Sequence, residues 1–125
     1  MKEIMAIIRM NKINETKRAL SAVGLPGLTA TGRALGRGRG MVDYQLVRGA
    51  EAGYGEALVQ LGTGPRLVPK RVLSIVVRDD KKDLAVQTIM DTNRTGEPGD
   101  GKIFVLPVAE SIRVRTAERG EATLD

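Results

Sequence analysis

Cysteine, histidine and tryptophan are absent from this chain of 125 residues, and its aromatic residues amount to Tyr44, Tyr54 and Phe104. Without Cys or His there is no disulfide framework, no Cys/His zinc site, no haem ligand, no thiolate nucleophile and no Ser-His-Asp relay. Most familiar hydrolase chemistry is thereby excluded. Recognition of single-stranded nucleic acid relies on stacking bases over aromatic faces, so no nucleic-acid partner is expected. No apolar run approaches the roughly 20 residues that span a bilayer, and Met1-Lys2-Glu3-Ile4 opens without a signal-peptide pattern, so the expectation is a cytoplasmic protein with no membrane insertion. Charge leans positive, with 20 Lys+Arg against 15 Asp+Glu. That balance suits small anions such as phosphates or carboxylates, and it equally suits ordinary solubility. The length fits a single domain, residues 1–125, with a radius of gyration of roughly 14 Å.

Glu3 to Arg9 is a nearly continuous apolar run, the pattern of a central strand. From Asn11, a candidate cap, the spacing turns helical, with Ile13, Thr16, Leu20 and Val23 on one face and Gly24 as the stop. Leu28 to Leu35 reads as a second, weaker strand. Gly36 to about Arg66 is rich in glycine, has no sustained period and is longer than ordinary connections, which are seldom of such length without a function. Strand spacing returns at Val68 to Val77, followed by an acidic helix start at Asp79-Asp80 and a helix through Asn93 with Ala85/Ile89 and Val86/Met90 at i, i+4. Thr95 to Gly101 is turn-rich, Lys102 to Val108 a strand, and Ile112 to Thr116 a short alternating strand before a charged tail of about 117–125. The order predicts an α+β, ferredoxin-like double βαβ arrangement, an antiparallel sheet with two helices on one face. The other face then requires a further layer, and oligomerisation supplies one.

Gly96-Glu97-Pro98-Gly99-Asp100-Gly101-Lys102 fits the opening of a P-loop, G-x-x-x-x-G-K. It lacks the Ser or Thr that holds Mg²⁺, because Ile103 follows, and it leads into a strand where a P-loop leads into a helix. What remains is a turn exposing N–H donors beside Lys102, or simply a tight connection. In Ile112-Arg113-Val114-Arg115, alternation places both arginines on one face about 6.5 Å apart, a spacing that can straddle a polyphosphate or belong to a solvated edge strand. Gly36-Arg37-Gly38-Arg39-Gly40 reads as an anion-binding nest or a hinge. Lys70, at the base of the long loop, is placed to hold a carboxylate or to extend into water.

Thr95 to Val108, TGEPGDGKIFVLPV, followed by Ile112-Arg113-Val114-Arg115-Thr116, resembles the C-terminal signature of the PII nitrogen-regulatory signal proteins. Met1 to Thr31 resembles that family's opening β-α-β, Arg48-Gly49-Ala50-Glu51 its mobile loop, and Pro69-Lys70 the approach to its third strand. The resemblance implies a ferredoxin-like homotrimer with a long mobile loop at about 38–67. ATP or ADP would lie in clefts between subunits, with 2-oxoglutarate beside ATP and Mg²⁺. It also implies that Gly99, Asp100, Gly101 and Lys102 contact phosphates, joined by Arg37 and Gly38 and by Arg113 and Arg115 from a facing subunit. Ile7, Thr29 and Val76 would line the adenine and ribose. Lys70, with Gly38 and Arg39, would hold 2-oxoglutarate, and Tyr44, Arg48, Glu51 and Tyr54 would meet the protein partner. The family's metal-contacting glutamine falls at Gly38, its modified loop tyrosine at Ala52, and an acidic strand position at Ser74.

An extended loop resembles the nitrogenase-associated branch, where two paralogues act together, so nitrogenase is the expected target and a hetero-oligomer with a sister PII protein a possible assembly. The expected function is a non-enzymatic sensor of ATP/ADP and 2-oxoglutarate. The alternatives are a PII protein that regulates an ammonium channel, with Arg48 at the pore, or glutamine synthetase. A nucleotide-hydrolysing enzyme is disfavoured by the missing His, Cys and Walker hydroxyl.

Overall fold

The computed structural model describes residues 1–37 and 67–124. Its first strand, β1 (Lys2–Arg9), alternates: Ile4, Ala6 and Ile8 are buried against the helices, while Met5 and Ile7 face the other side of the sheet. A 3₁₀ turn over Met10–Lys12 feeds helix α1 (Ile13–Ala22). The expected Asn11 cap is not formed; at this entry Thr16 Oγ1 donates to the Lys12 carbonyl at 2.7 Å. Ile13, Thr16 and Leu20 are buried as their spacing requires, but Val23 lies past the last turn and is partly exposed. Gly24, at φ +84°, lets its own N–H reach Ser21 O at 3.0 Å and the Leu25 N–H reach Leu20 O at 2.9 Å, a Schellman stop.

The predicted strand at Leu28 to Leu35 divides into β2 (Thr29–Ala30) and β3 (Ala34–Gly36), both antiparallel to β4 (Val68–Val77). Thr31 is the reason for the break. Its N–H still reaches Val72 O at 2.9 Å, but its hydroxyl accepts the Val72 N–H at 3.2 Å and its carbonyl accepts Arg71 Nε at 2.7 Å, so side chains stand where the return ladder bond would continue. A second 3₁₀ turn at Asp79–Lys81 opens α2 (Lys82–Asn93), and β5 (Lys102–Pro107) closes the sheet.

Strand order is β2-β4-β1-β5, with β3 also on β4 and every pairing antiparallel. With two helices on one face, this is the ferredoxin-like double βαβ arrangement. The core joins Ile4, Ala6 and Ile8 to Leu73, Ile75 and Val77 of β4, Ile13 and Leu20 of α1, and Ala85 and Ile89 of α2. Each Ile, Leu or Val among them contributes about 2 kcal/mol on burial. Between the helices, Asn93 Nδ2 donates to Thr16 Oγ1 at 3.0 Å and to Ile89 O at 2.9 Å, a buried polar pin joining α1 to α2.

Ile112 to Thr116 is not a strand. The chain turns there, with the Arg113 N–H bonded to Glu118 O and the Ala117 N–H to Arg113 O, both at 2.8 Å, and Ile112 bridges Arg119. Val114 is 98% exposed, so no apolar face rewards the alternation, and Arg113 and Arg115 do not share a strand face. The charged segment beyond folds back through a 3₁₀ turn at Glu121–Thr123, tied to the end of β4 by an Arg78–Glu121 ion pair at 3.6 Å.

Candidate functional site: the glycine-loop cleft

β1 and β4 run side by side so that Arg9 stands directly opposite Lys70. Like charges facing each other across strands repel. The connection from α2 to β5 supplies the counter-charge, Asp100. Arg9 Nη1 donates to Asp100 Oδ1 at 2.6 Å and Arg9 Nη2 to the Pro98 carbonyl at 3.1 Å. The same carboxylate accepts the Thr95 hydroxyl, the Thr95 N–H at 2.8 Å and the Gly96 N–H at 3.0 Å. The hydroxyl and N–H of Thr95, aided by Arg9 and Gly96, hold the Asp100 carboxyl well below the usual carboxylate range.

Lys70 is buried, and its ammonium donates to the Gly99 carbonyl at 2.9 Å. It therefore does not extend into water. Burial, with the nearby Arg9 cation adding to it and Asp100 opposing it, lowers its pKa below 10.5. A lysine ammonium carries three donors, of which one is used on Gly99 among the described residues. Gly101 fixes how closely the loop approaches the sheet: at φ +110° it lies where a Cβ would come 2.0 Å from the Ile7 carbonyl oxygen.

Between this loop and the end of β3 lies a cleft of about 350 Å³, within the ordinary range for a small-molecule site. Ile7, Val68 and Phe104 give it an apolar wall, Gly99 and Gly101 a backbone wall, and Arg37, Lys70 and Lys102 its positive charge. Five of the expected nucleotide contacts, Ile7, Arg37, Gly99, Gly101 and Lys102, thus converge here, with Lys70 beside them. Asp100 shapes the loop from behind. The Walker-like resemblance ends as expected, since Lys102 opens β5 and not a helix.

Thr29, Val76, Arg113 and Arg115 lie elsewhere. Thr29 is on β2 at the opposite edge of the sheet, and Val76 is on β4 next to it. Val76 shares a pocket of about 170 Å³ with Leu124 of the returning tail. Arg113 is held by that tail, its guanidinium donating to Glu118 Oε1 and to Ala122 O, both at 3.1 Å. The expected contacts are thus divided within one chain, five of them lining the cleft and Thr29, Val76 and Arg113 lying away from it. Ser74, on the open face, donates to Glu3 Oε2 at 2.6 Å. Gly38, Arg39, Tyr44, Arg48, Glu51 and Tyr54, together with Ala52, lie outside the described residues.

Sequence reasoning passed over Arg9 and Thr95, the two groups that lock the loop. The available signal was an arginine ending an otherwise apolar strand and a Thr five residues before an Asp in a glycine-rich turn. Among the described residues no helix is long and apolar enough to cross a membrane, and no three His, Cys, Asp or Glu side chains form a metal cluster.

The described residues thus combine a ferredoxin-like sheet, a glycine loop locked at one edge and basic residues on a C-terminal turn. Residues 1–118 match the family model described as "Nitrogen regulatory protein P-II". The chain is 44% identical over 126 residues to "Nitrogen fixation nifHD region GlnB-like protein 2" of Methanobacterium ivanovii, covering 97% of both chains. It is 45% identical over 124 residues to the protein of the same description in Methanococcus maripaludis, covering 99% of this chain and all of that one. A crystal structure of Arabidopsis thaliana PII bound to citrate aligns with a TM-score of 0.72 and 33% identity, over 98% of this chain and 88% of that one. The chain belongs to the P-II family, in the branch associated with nitrogen fixation regions, and so to the signal-transduction regulators and not the enzymes. Proteins of this family generally bind ATP or ADP and 2-oxoglutarate.

Proposed function

We propose that this protein is a cytoplasmic sensor which reads ATP or ADP together with 2-oxoglutarate and regulates nitrogenase by direct contact through residues 38–67. The observation that carries the nucleotide part is the convergence of Ile7, Arg37, Gly99, Gly101 and Lys102 on one cleft while Thr29 and Val76, at the opposite edge, and Arg113, on the C-terminal turn, lie away from it. Neither set is sufficient, and a second subunit placed edge to edge completes both. The assembly is a trimer, of this chain alone or mixed with a sister PII protein. The fit of the cleft to a polyphosphate is supported by its cations and by the closely approaching loop backbone.

In this arrangement Lys102 and Arg37 hold phosphate oxygens, Arg113 and Arg115 close from the facing subunit, and Ile7, Thr29 and Val76 sandwich the adenosine. Gly38 and Arg39 complete the phosphate and oxo-acid contacts. Lys70 directs its two remaining donors to a 2-oxoglutarate carboxylate. Mg²⁺ would accompany ATP at this site. The nitrogenase part is supported by the nifHD-region descriptions of the relatives.

Calorimetric titration with 2-oxoglutarate, run with and without MgATP, tests the reading. Binding only in the presence of MgATP is expected, with Lys70→Ala weakening 2-oxoglutarate more than ATP and Arg113→Ala weakening ATP about tenfold, the loss of one charge-assisted contact. ATP binding with no oxo-acid response would remove the Lys70 role. Unchanged ATP affinity in Arg113→Ala would remove the clamp. For the partner, nitrogenase should be retained on the immobilised protein and released by MgATP with 2-oxoglutarate.

A further inference from the structure

Arg113, assigned above to a phosphate of the facing subunit's cleft, has a carboxylate on it already. Its Nη1 donates to Glu118 Oε1 at 3.1 Å and its Nη2 to the Ala122 carbonyl at 3.1 Å. Backbone bonds hold Glu118 in reach, the Arg113 N–H on Glu118 O and the Ala117 N–H on Arg113 O, each at 2.8 Å. The segment that carries this carboxylate is pinned, because Ile112 bridges Arg119 and Arg119 itself pairs with Glu110, while the Glu118 side chain is left to move. A planar guanidinium offers a limited fork of donors, and carboxylate and phosphate oxygens compete for the same positions.

We infer that Glu118 is an affinity-setting residue of the nucleotide site: it occupies the Arg113 guanidinium in the empty protein and must release it before a phosphate can bind there. This rests on Arg113 being a phosphate contact. Apparent affinity is then the intrinsic affinity reduced by the fraction of molecules in which Arg113 is disengaged from Glu118. Glu118 is partly exposed, with 48% of its side chain accessible, so the pair is one that a multiply charged phosphate chain can displace. The competition is confined to ligands whose binding uses the guanidinium.

The experiment is ATP titration of the full-length protein and of Glu118→Gln, Arg113→Ala and the double variant. Glu118→Gln keeps the side chain's size and removes its charge. An exposed pair of this kind predicts ATP binding about two- to fivefold tighter in Glu118→Gln. The same change made on top of Arg113→Ala should have no effect, a result that a merely structural role for Glu118 does not produce. Unchanged or weaker ATP binding in Glu118→Gln, while Arg113→Ala weakens it, overturns the competition and leaves the clamp standing. Equal tightening with and without Arg113 overturns it as well. If Arg113→Ala itself leaves ATP affinity unchanged, the clamp fails and the competition with it.

Discussion

Gly101 is the residue on which the cleft geometry depends most directly. Its φ of +110° is open to glycine, and the missing side chain lets the loop lie against the Ile7 carbonyl. Alanine there adds both a backbone penalty and an overlap with main-chain atoms that cannot rotate away. Gly101→Ala is expected to lower unfolding stability by about 3 kcal/mol, read as a shifted denaturant midpoint, and to weaken ATP binding in the molecules that remain folded. A variant with wild-type midpoint and wild-type affinity would show that the loop can withdraw from β1 without consequence. Lys70 is the counterpart in charge. Its amine is buried where solvent would otherwise hold it, and it stays because the Gly99 carbonyl and the Asp100 charge offset part of the cost.

Among the elements, the Thr95–Gly101 loop is organised by one ionised group, and this gives it an acid limit. The Asp100 carboxyl has a folded-state pKa below its ordinary value of 3.8, so its contribution is fully present at neutral pH and is lost as pH falls below that value. The expected outcome is a loop whose amide exchange protection at Gly96 declines in acid. In Asp100→Asn that protection should already be reduced at pH 7 and lack the acid step. Asp79, whose carboxyl is also held below its usual range, lies on the other helix approach and leaves Gly96 exchange untouched, which separates the two contributions.

Legibility in the sequence followed the same scale. Val68–Val77 and the end of α2 at Asn93 were readable because long β-branched or i, i+4 runs bounded by Pro, Gly or charge leave few alternatives. The break in the second strand was not, since it depends on Thr31 meeting Val72 from 41 positions away. The Ile112 to Thr116 turn was misread for a local reason: its left-handed residue is Ala117, φ +63°, where glycine or asparagine would have signalled a turn. At the site, the glycines and Lys102 announced themselves by spacing. Arg9 did not, because an arginine at a strand end is ordinary until the fold brings Asp100 to it.

At the level of the whole molecule, the face of the sheet away from the helices carries Met5, Ile7, Val72, Val76, Phe104 and Leu106, aligned across three strands by the β1–β4 and β1–β5 registers. Phe104 is 45% exposed there. The Ser74–Glu3 pair interrupts this face, but the apolar side chains on either side are what an assembly covers. Phe104→Glu is therefore expected to reduce the mass seen by light scattering from a multiple of the 13.5 kDa chain toward a single chain, with the helix signal in circular dichroism retained. Retention of the full assembly mass would place the contact elsewhere.

In the proposed assembly one nucleotide is shared between the Gly99–Lys102 edge of one copy and the opposite edge of the next. A surface that is completed by a different surface of the next copy is a heterologous joint, and where the rotation between copies closes, such joints form rings in which every joint is equivalent. A nucleotide seated in the proposed joint belongs to two chains at once. Each binding event then adds its free energy to the cohesion of the ring, so ligand concentration and protein concentration act on the same equilibrium, and dilution of the protein should lower its apparent affinity for ATP.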